Sequence, residues 1–271
     1  MRRISYTGLA RFAMFTLVIA GFAASAAMAT PSPNSAVFNL RIFNDDPNSV
    51  LTTVDNYPAQ LIIDDSQLDG DGINPEFANL HNWRFSEDDV NEAVFNNADA
   101  FKFSAFLIIS GSGHGEAGLQ ISPWFSQDVD GRLNVRTTDG EIAVFGGRLP
   151  FYSFTGSHGI NYVKGDVIHL EMTYLPNGLS AANPGTLQVD IVYNSTLYSS
   201  GPLPFDEGNA AEGFGTWGIL NDARVGGHHQ PFIQVGNPQN NLRATWFDIK
   251  FTGLVTPTVP TTWGRLKAIY K

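Results

Sequence analysis

The chain has 271 residues, no cysteine, and 26 acidic against 16 basic side chains, a formal net charge of −10. The missing cysteines exclude a disulfide scaffold, and the acidic balance argues against nucleic-acid and anionic-membrane partners. A chain of this length can close one large domain around a well-buried core.

Arg2 and Arg3 precede an apolar run, 12–24, and small residues then lead to Ala27-Met28-Ala29. A basic start, an apolar middle and a small-x-small end make an export signal covering 1–29. The run is broken by Gly21 and falls short of the roughly 20 apolar residues that span a bilayer, and no later segment reaches that length. The expectation is therefore a secreted or cell-envelope bacterial protein with no transmembrane anchor after signal cleavage. Without the leader's three arginines, 13 basic residues face 26 acidic ones, a balance of −13.

From Thr30 a Pro/Ser stretch leads into short runs of alternating apolar and polar residues, the period of a half-buried strand. Strands are predicted at 36–43, 58–63, 79–85, 101–109, 118–122, 132–137, 141–145, 167–174, 186–193, 195–199, 215–220, 231–235 and 244–251. Asp130-Gly131 and Asp139-Gly140 supply hairpin turns, because glycine accepts the positive φ that such turns need. Glu87-Asp88-Asp89 and Glu92, after Ser86, read as the first turn of a short helix, where carboxylates suit the helix dipole. The glycine-rich stretch 111–116 reads as a hairpin loop with His114 and Glu116 at its tip. The domain is expected to span 30–254. A Pro/Thr linker follows at 255–262, and then a basic tail, 263–271, with Trp263, Leu266 and Tyr270 on one face. That tail reads either as a short helix packed on the sandwich or as a segment that meets a sorting or surface-docking partner.

The densest group of oxygen ligands is 65–76. Asp65, Asp69, Asp71 and Glu76 lie there on a glycine-containing loop, and calcium takes six to eight such oxygens. Calcium is accordingly the candidate cofactor and those four side chains its candidate ligands; an acidic surface turn is the competing reading. For a glycan or another extracellular polymer the candidate contacts are Trp124, Tyr152, His158 and His228, which sit near turns where a ring or imidazole can meet a sugar face. His228 and His229 are neighbours on an extended chain and point to opposite faces, which works against one metal held by both. There is no Gly-x-Ser-x-Gly elbow for nucleophilic hydrolysis.

By strand number, by the hairpin run GLQISPWFSQDVDGRLNVRTTDGEIAVFGG and by the closing strand ATWFDIKFTGL, the chain resembles the concanavalin A-like lectin and glucanase jelly rolls, laminin-G-like modules included. That resemblance implies an all-β fold, a two-sheet antiparallel jelly-roll sandwich. The glucanase branch carries Glu-x-Asp-x-Glu on one strand. Here Glu171 has no acidic residue two positions away, which points away from that branch. The expected function is thus a secreted, non-catalytic sandwich that binds carbohydrate or an extracellular polymer, with calcium as its candidate stabilising ion. The alternatives are a polysaccharide hydrolase or lyase whose site lacks a sequence signature, and a structural or adhesive cell-surface protein.

Overall fold

Residues 168–175 alternate between buried and less buried positions, 101–110 do so less regularly, and each becomes a strand with one face in the core. A computed structural model describes residues 30–72, 77–123, 131–206 and 217–254. In chain order the strands are β1 (Ser35–Asn44), β2 (Val50–Asn56), β3 (Gln60–Ser66), β4 (Asn79–Ser86), β5 (Phe101–Ser110), β6 (Gly115–Pro123) and β7 (Gly131–Arg136). They continue as β8 (Ile142–Gly146), β9 (Leu149–Ser153), β10 (Ile168–Leu175), β11 (Thr186–Tyr193), β12 (Thr196–Pro204), β13 (Ala223–Pro231) and β14 (Asn241–Gly253), with one short helix, α1 (Phe154–His158), after β9.

The strands form two antiparallel sheets of seven. The first has the order β1-β4-β13-β6-β7-β8-β9 and the second β12-β11-β10-β5-β14-β3-β2. Neighbours in the first sheet come from distant parts of the chain, as a jelly roll requires. Between the sheets lies one hydrophobic core, in which Trp83 and Phe85 of the first sheet face Trp246 and Phe103 of the second. These rings meet edge to face, Trp83 with Phe85 at 5.2 Å, Trp83 with Trp246 at 6.1 Å and Phe85 with Phe103 at 5.9 Å. Such contacts add to the area they bury.

Three local expectations are corrected. The acidic segment after Ser86 is a turn, not a helix, because the Asp88 carboxylate accepts the backbone N–H groups of Val90 and Asn91 and closes the chain on itself. Segment 223–231 is a central strand, although no strand was predicted between 220 and 231. Its glycines let the backbone lie against neighbours that leave no room for a side chain: a Cβ at Gly226 would come within 2.0 Å of the Trp83 carbonyl oxygen, and one at Gly227 within 2.2 Å of the Trp83 indole nitrogen. Strand β2 was not expected either, since it is an edge strand with little buried surface and no apolar stripe.

Candidate functional site

Alternation sorts the residues of the first sheet. On β4, Trp83 and Phe85 face the core, so Asn82 and Arg84 face outward. On β6 the core takes Ala117, Leu119 and Ile121, leaving Glu116, Gly118, Gln120 and Ser122 outside. On β7 Leu133 and Val135 are inside, and Arg132, Asn134 and Arg136 outside; on β13 the outward residues are Arg224, Gly226, His228 and Gln230.

Strand register lines these groups up in rows. Arg84 lies opposite Gly226, Gly226 opposite Gln120, and Gln120 opposite Arg132. In the next row Asn82 lies opposite His228, His228 opposite Gly118, and Gly118 opposite Asn134. Each row therefore has a glycine in its middle, over which long side chains can meet.

The polar floor so formed is buried: Arg84, Gln120 and His228 are 0 % exposed. Arg84 donates through Nη2 to Ser122 Oγ at 2.8 Å, and Asn82, with its amide oxygen turned to Arg84, accepts from the same nitrogen at 2.7 Å. Arg84 Nε and Nη1 have no partner. Arg132 donates from Nε and Nη2 to Gln120 Oε1 and from Nη1 to Gln230 Oε1, and its guanidinium lies over the Phe145 ring. Neither guanidinium touches a carboxylate among the described residues.

Burial pushes Arg84 down to about 9, Glu92 works against that, and Arg132 and Arg224 add to it. Burial likewise pushes Arg132 down to about 10, against the pull of Glu116. The His228 imidazole is held well below its ordinary value by burial first and then by Arg132, Arg84 and His229, so it is neutral at pH 7. Its Nε2 lies 2.9 Å from Asn134 Oδ1, while Nδ1 is buried without a partner. Gln120 Nε2 is also unpartnered. Burial raises the Glu116 carboxyl, and a hydrogen bond from Asn134 and the charges of Arg132 and Arg136 partly offset this. The arrangement amounts to a neutral base and two cations that no carboxylate contacts among the described residues, lined by amides, with Glu116 and Glu92 acting on them from further off.

Of the residues singled out in the sequence, His228 is in this floor and His229 points into the core, where its ring stacks on His81. Tyr152 and His158 lie together elsewhere, joined by a 3.0 Å hydrogen bond, with the tyrosine hydroxyl also donating to Ser199 O. Trp124 and Glu76 fall outside the described residues, as do the leader, the linker and the tail. Asp65 sits on β3, not on a surface loop. Its buried carboxylate accepts from Asn79 Nδ2 at 2.8 Å and lies 3.0 Å from His81 Nε2, so the interior takes one of the oxygens expected for calcium. Asp69 and Asp71 lie beyond the end of that strand. Among the described residues no group of three or more His, Cys, Asp or Glu is placed to hold a metal ion, and no helix is long and apolar enough to cross a membrane.

The sequence reading passed over Arg84, Gln120, Arg132 and Asn134, since polar residues at alternate strand positions are the ordinary solvent face of a sandwich. The available signal was arginine in that position on two separate strands of a chain poor in basic residues.

No family model matches the chain, and no curated protein does. Solved structures do. A family 18 polysaccharide lyase is 11 % identical with a TM-score of 0.43, over 81 % of this chain and 96 % of that one. The alginate lyase from Alteromonas sp. 272 gives 11 % and 0.43, over 81 % and 95 %. A family 7 alginate lyase from Zobellia galactanivorans gives 10 % and 0.42, over 78 % and 83 %. The chain has the concanavalin A-like jelly-roll fold. At these identities and scores the likeness is one of architecture. The expectation of a non-catalytic binding sandwich is corrected on the geometry of the site: the outward face of the first sheet presents buried guanidinium, imidazole and amide groups, several of their nitrogens without a partner, where sugar-stacking rings were expected.

Proposed function

We propose that the chain is a polysaccharide lyase that cleaves a uronate-containing polymer at the outward face of the first sheet. The observation that carries this reading is the pair of buried guanidiniums, Arg84 and Arg132, with no carboxylate contact, beside a neutral His228. Buried charge without a counter-ion is costly, and in a chain this acidic nothing in bulk charge explains it. An anion entering between the two arginines supplies the missing partner. Because the groups are dry, they bind it far more strongly than an exposed arginine would.

A sugar carboxylate held there makes the carbon beside it acidic, since guanidinium and the Gln120 amide stabilise the enolate-like charge that develops when its proton leaves. His228 takes that proton. The electron pair forms the new C=C bond, the bond to the glycosidic oxygen at C4 breaks, and the imidazolium returns the proton to the departing oxygen. Substrate also tunes the base: its charge cancels the arginine field that, after burial, keeps His228 weakly basic, bringing it nearer the working pH. A hydrolytic mechanism instead needs two opposed carboxyls. Glu116 is one candidate, but Glu92 is committed to Arg224 at 2.9 Å.

The test is incubation of the purified protein with alginate, pectate and hyaluronan, reading unsaturated ends by ultraviolet absorbance and reducing ends chemically. The reading predicts that both rise together on at least one of these polymers. Reducing ends without new absorbance would make the protein a hydrolase, and no product from any of them would overturn the proposal.

A further inference from the structure

His228 can carry its single proton on either nitrogen, and only the bare one can act as a base. We infer that Glu116 and Asn134 are positioning residues that fix this choice, holding the proton on Nε2 and leaving Nδ1 bare. The role given to Nδ1 rests on the lyase reading; the tautomer itself does not.

The geometry is a three-residue chain across three neighbouring strands. Glu116 is on β6, Asn134 on β7 and His228 on β13. An ionised carboxylate only accepts hydrogen bonds, so the Asn134 amide, whose strand position lies diagonally across from Glu116 and which favours the ionised form of that carboxyl, turns its NH₂ to that side. Its oxygen then faces the imidazole, 2.9 Å from Nε2. An amide oxygen only accepts, so Nε2 must be the donor. Nδ1 is left with its lone pair, buried and without a hydrogen-bond partner, with the charges of Arg84 and Arg132 acting on it. Gly118 makes the contact possible. It lies between His228 and Asn134 in the register, and a Cβ there would stand 3.0 Å from His228 Cε1.

The charged groups around this chain favour the same arrangement. Burial, the largest influence on the Glu116 carboxyl, raises its pKa; Arg136, which approaches at 3.8 Å, and Arg132, which acts on both Glu116 and His228, favour the ionised, accepting form. Asp139 opposes them from the turn after β7. An acid that orients an imidazole through a neutral group extends the logic by which a third residue orients the base of a catalytic triad. A merely structural polar network would be satisfied by either tautomer, and this one admits one only.

The test is the two-bond proton–nitrogen correlation spectrum of the full protein with ¹⁵N-labelled histidine, His228 being assigned by the signals that vanish in His228→Gln. The expected spectrum shows His228 protonated on Nε2 and bare on Nδ1. Asn134→Asp, still an acceptor of the same shape, keeps that pattern. Asn134→Leu and Glu116→Gln release the constraint, so the Nδ1–H form becomes visible. If the wild type carries its proton on Nδ1, or if Asn134→Leu leaves the pattern unchanged, the inference is overturned. Since no substrate is present, this outcome is independent of whether the protein proves to be a lyase. If it is one, Asn134→Leu lowers kcat by about 100-fold with little change in KM, and Asn134→Asp recovers part of the loss.

Discussion

Trp246 of the second sheet donates its indole Nε1–H to the carbonyl of Gly118 in the first, at 3.2 Å and through the centre of the core. Gly118 is the residue over which His228 and Asn134 meet, so a core tryptophan holds the floor of the site from beneath. The hydrogen bond is wholly buried, where an unmatched carbonyl is expensive.

Trp246→Phe should therefore do two things. Losing the bond and part of the ring costs about 2–3 kcal/mol of unfolding free energy, measurable by urea titration. If the protein is a lyase, kcat should fall more than KM rises. A variant as stable as the wild type would show that the indole N–H contributes nothing to the floor.

Arg84→Met should separate stability from activity. It removes a buried guanidinium with two unpartnered nitrogens and leaves an apolar chain of similar length, a change often neutral or stabilising. The melting temperature should hold or rise. Cleavage of uronate polymer should fall by about 100-fold or more, because the carboxylate loses a desolvated partner. A clear drop in melting temperature with activity intact would place Arg84 in the scaffold alone.

The fold was readable wherever one face alone is buried. Residues 168–175 and 186–193 alternate because one sheet face meets the core, and the strands predicted there match β10 and β11 closely. What defeats sequence reading is a constraint set by a distant partner. Gly226-Gly227-His228-His229 looks like a loop, since glycine weakens an isolated strand, and only the approach of Trp83 and Arg84 from another strand explains why glycine is needed. The site was obscure for a related reason. Arg84, Gln120, Arg132 and His228 are spread over four strands, and nothing local tells a buried polar position from a solvated one. The opposed directions of His228 and His229 were legible, because they follow from strand geometry alone. Asp65 was read with its loop, whereas its carboxylate is fixed by Asn79 and His81 on the facing sheet.

Gly227→Ala tests the close approach behind β13. The added Cβ would meet Trp83 at 2.2 Å from the indole nitrogen and 2.7 Å from Cε2. Trp83 is fully buried and packed against Phe85 and Trp246, so it has little room to yield. The variant should lose about 1–3 kcal/mol or more of stability, read from its denaturation midpoint. Because Trp83 is also a fluorophore, its emission should shift as the indole is displaced. An unchanged midpoint would mean that the two sheets slide apart more easily than their packing suggests.

Acid should weaken this protein before its carboxylates titrate. His229 is buried, both ring nitrogens lack partners, and burial followed by the neighbouring His81 pushes it down to about 3 from an ordinary 6.5. Between those values the unfolded chain binds a proton that the folded chain refuses, so stability is full above about pH 6.5 and falls as pH drops, by up to about 1.4 kcal/mol per pH unit for each such group. His228 has the same sign. Asp65 acts later. Burial works to raise its pKa, but hydrogen bonds with His81, Asn79 and Ser49 outweigh that and lower it, so its contribution is present above the ordinary carboxylate range and is lost only as pH falls through its lowered value. His229→Leu removes one of the two early groups without leaving a donor or acceptor behind. Urea titrations at pH 8, 6 and 5 should show the variant gaining on the wild type as pH falls, with the gap smallest at pH 8. Parallel losses in the two proteins would assign the acid sensitivity to other groups and show that His229 is protonated, or free to become so, in the folded state.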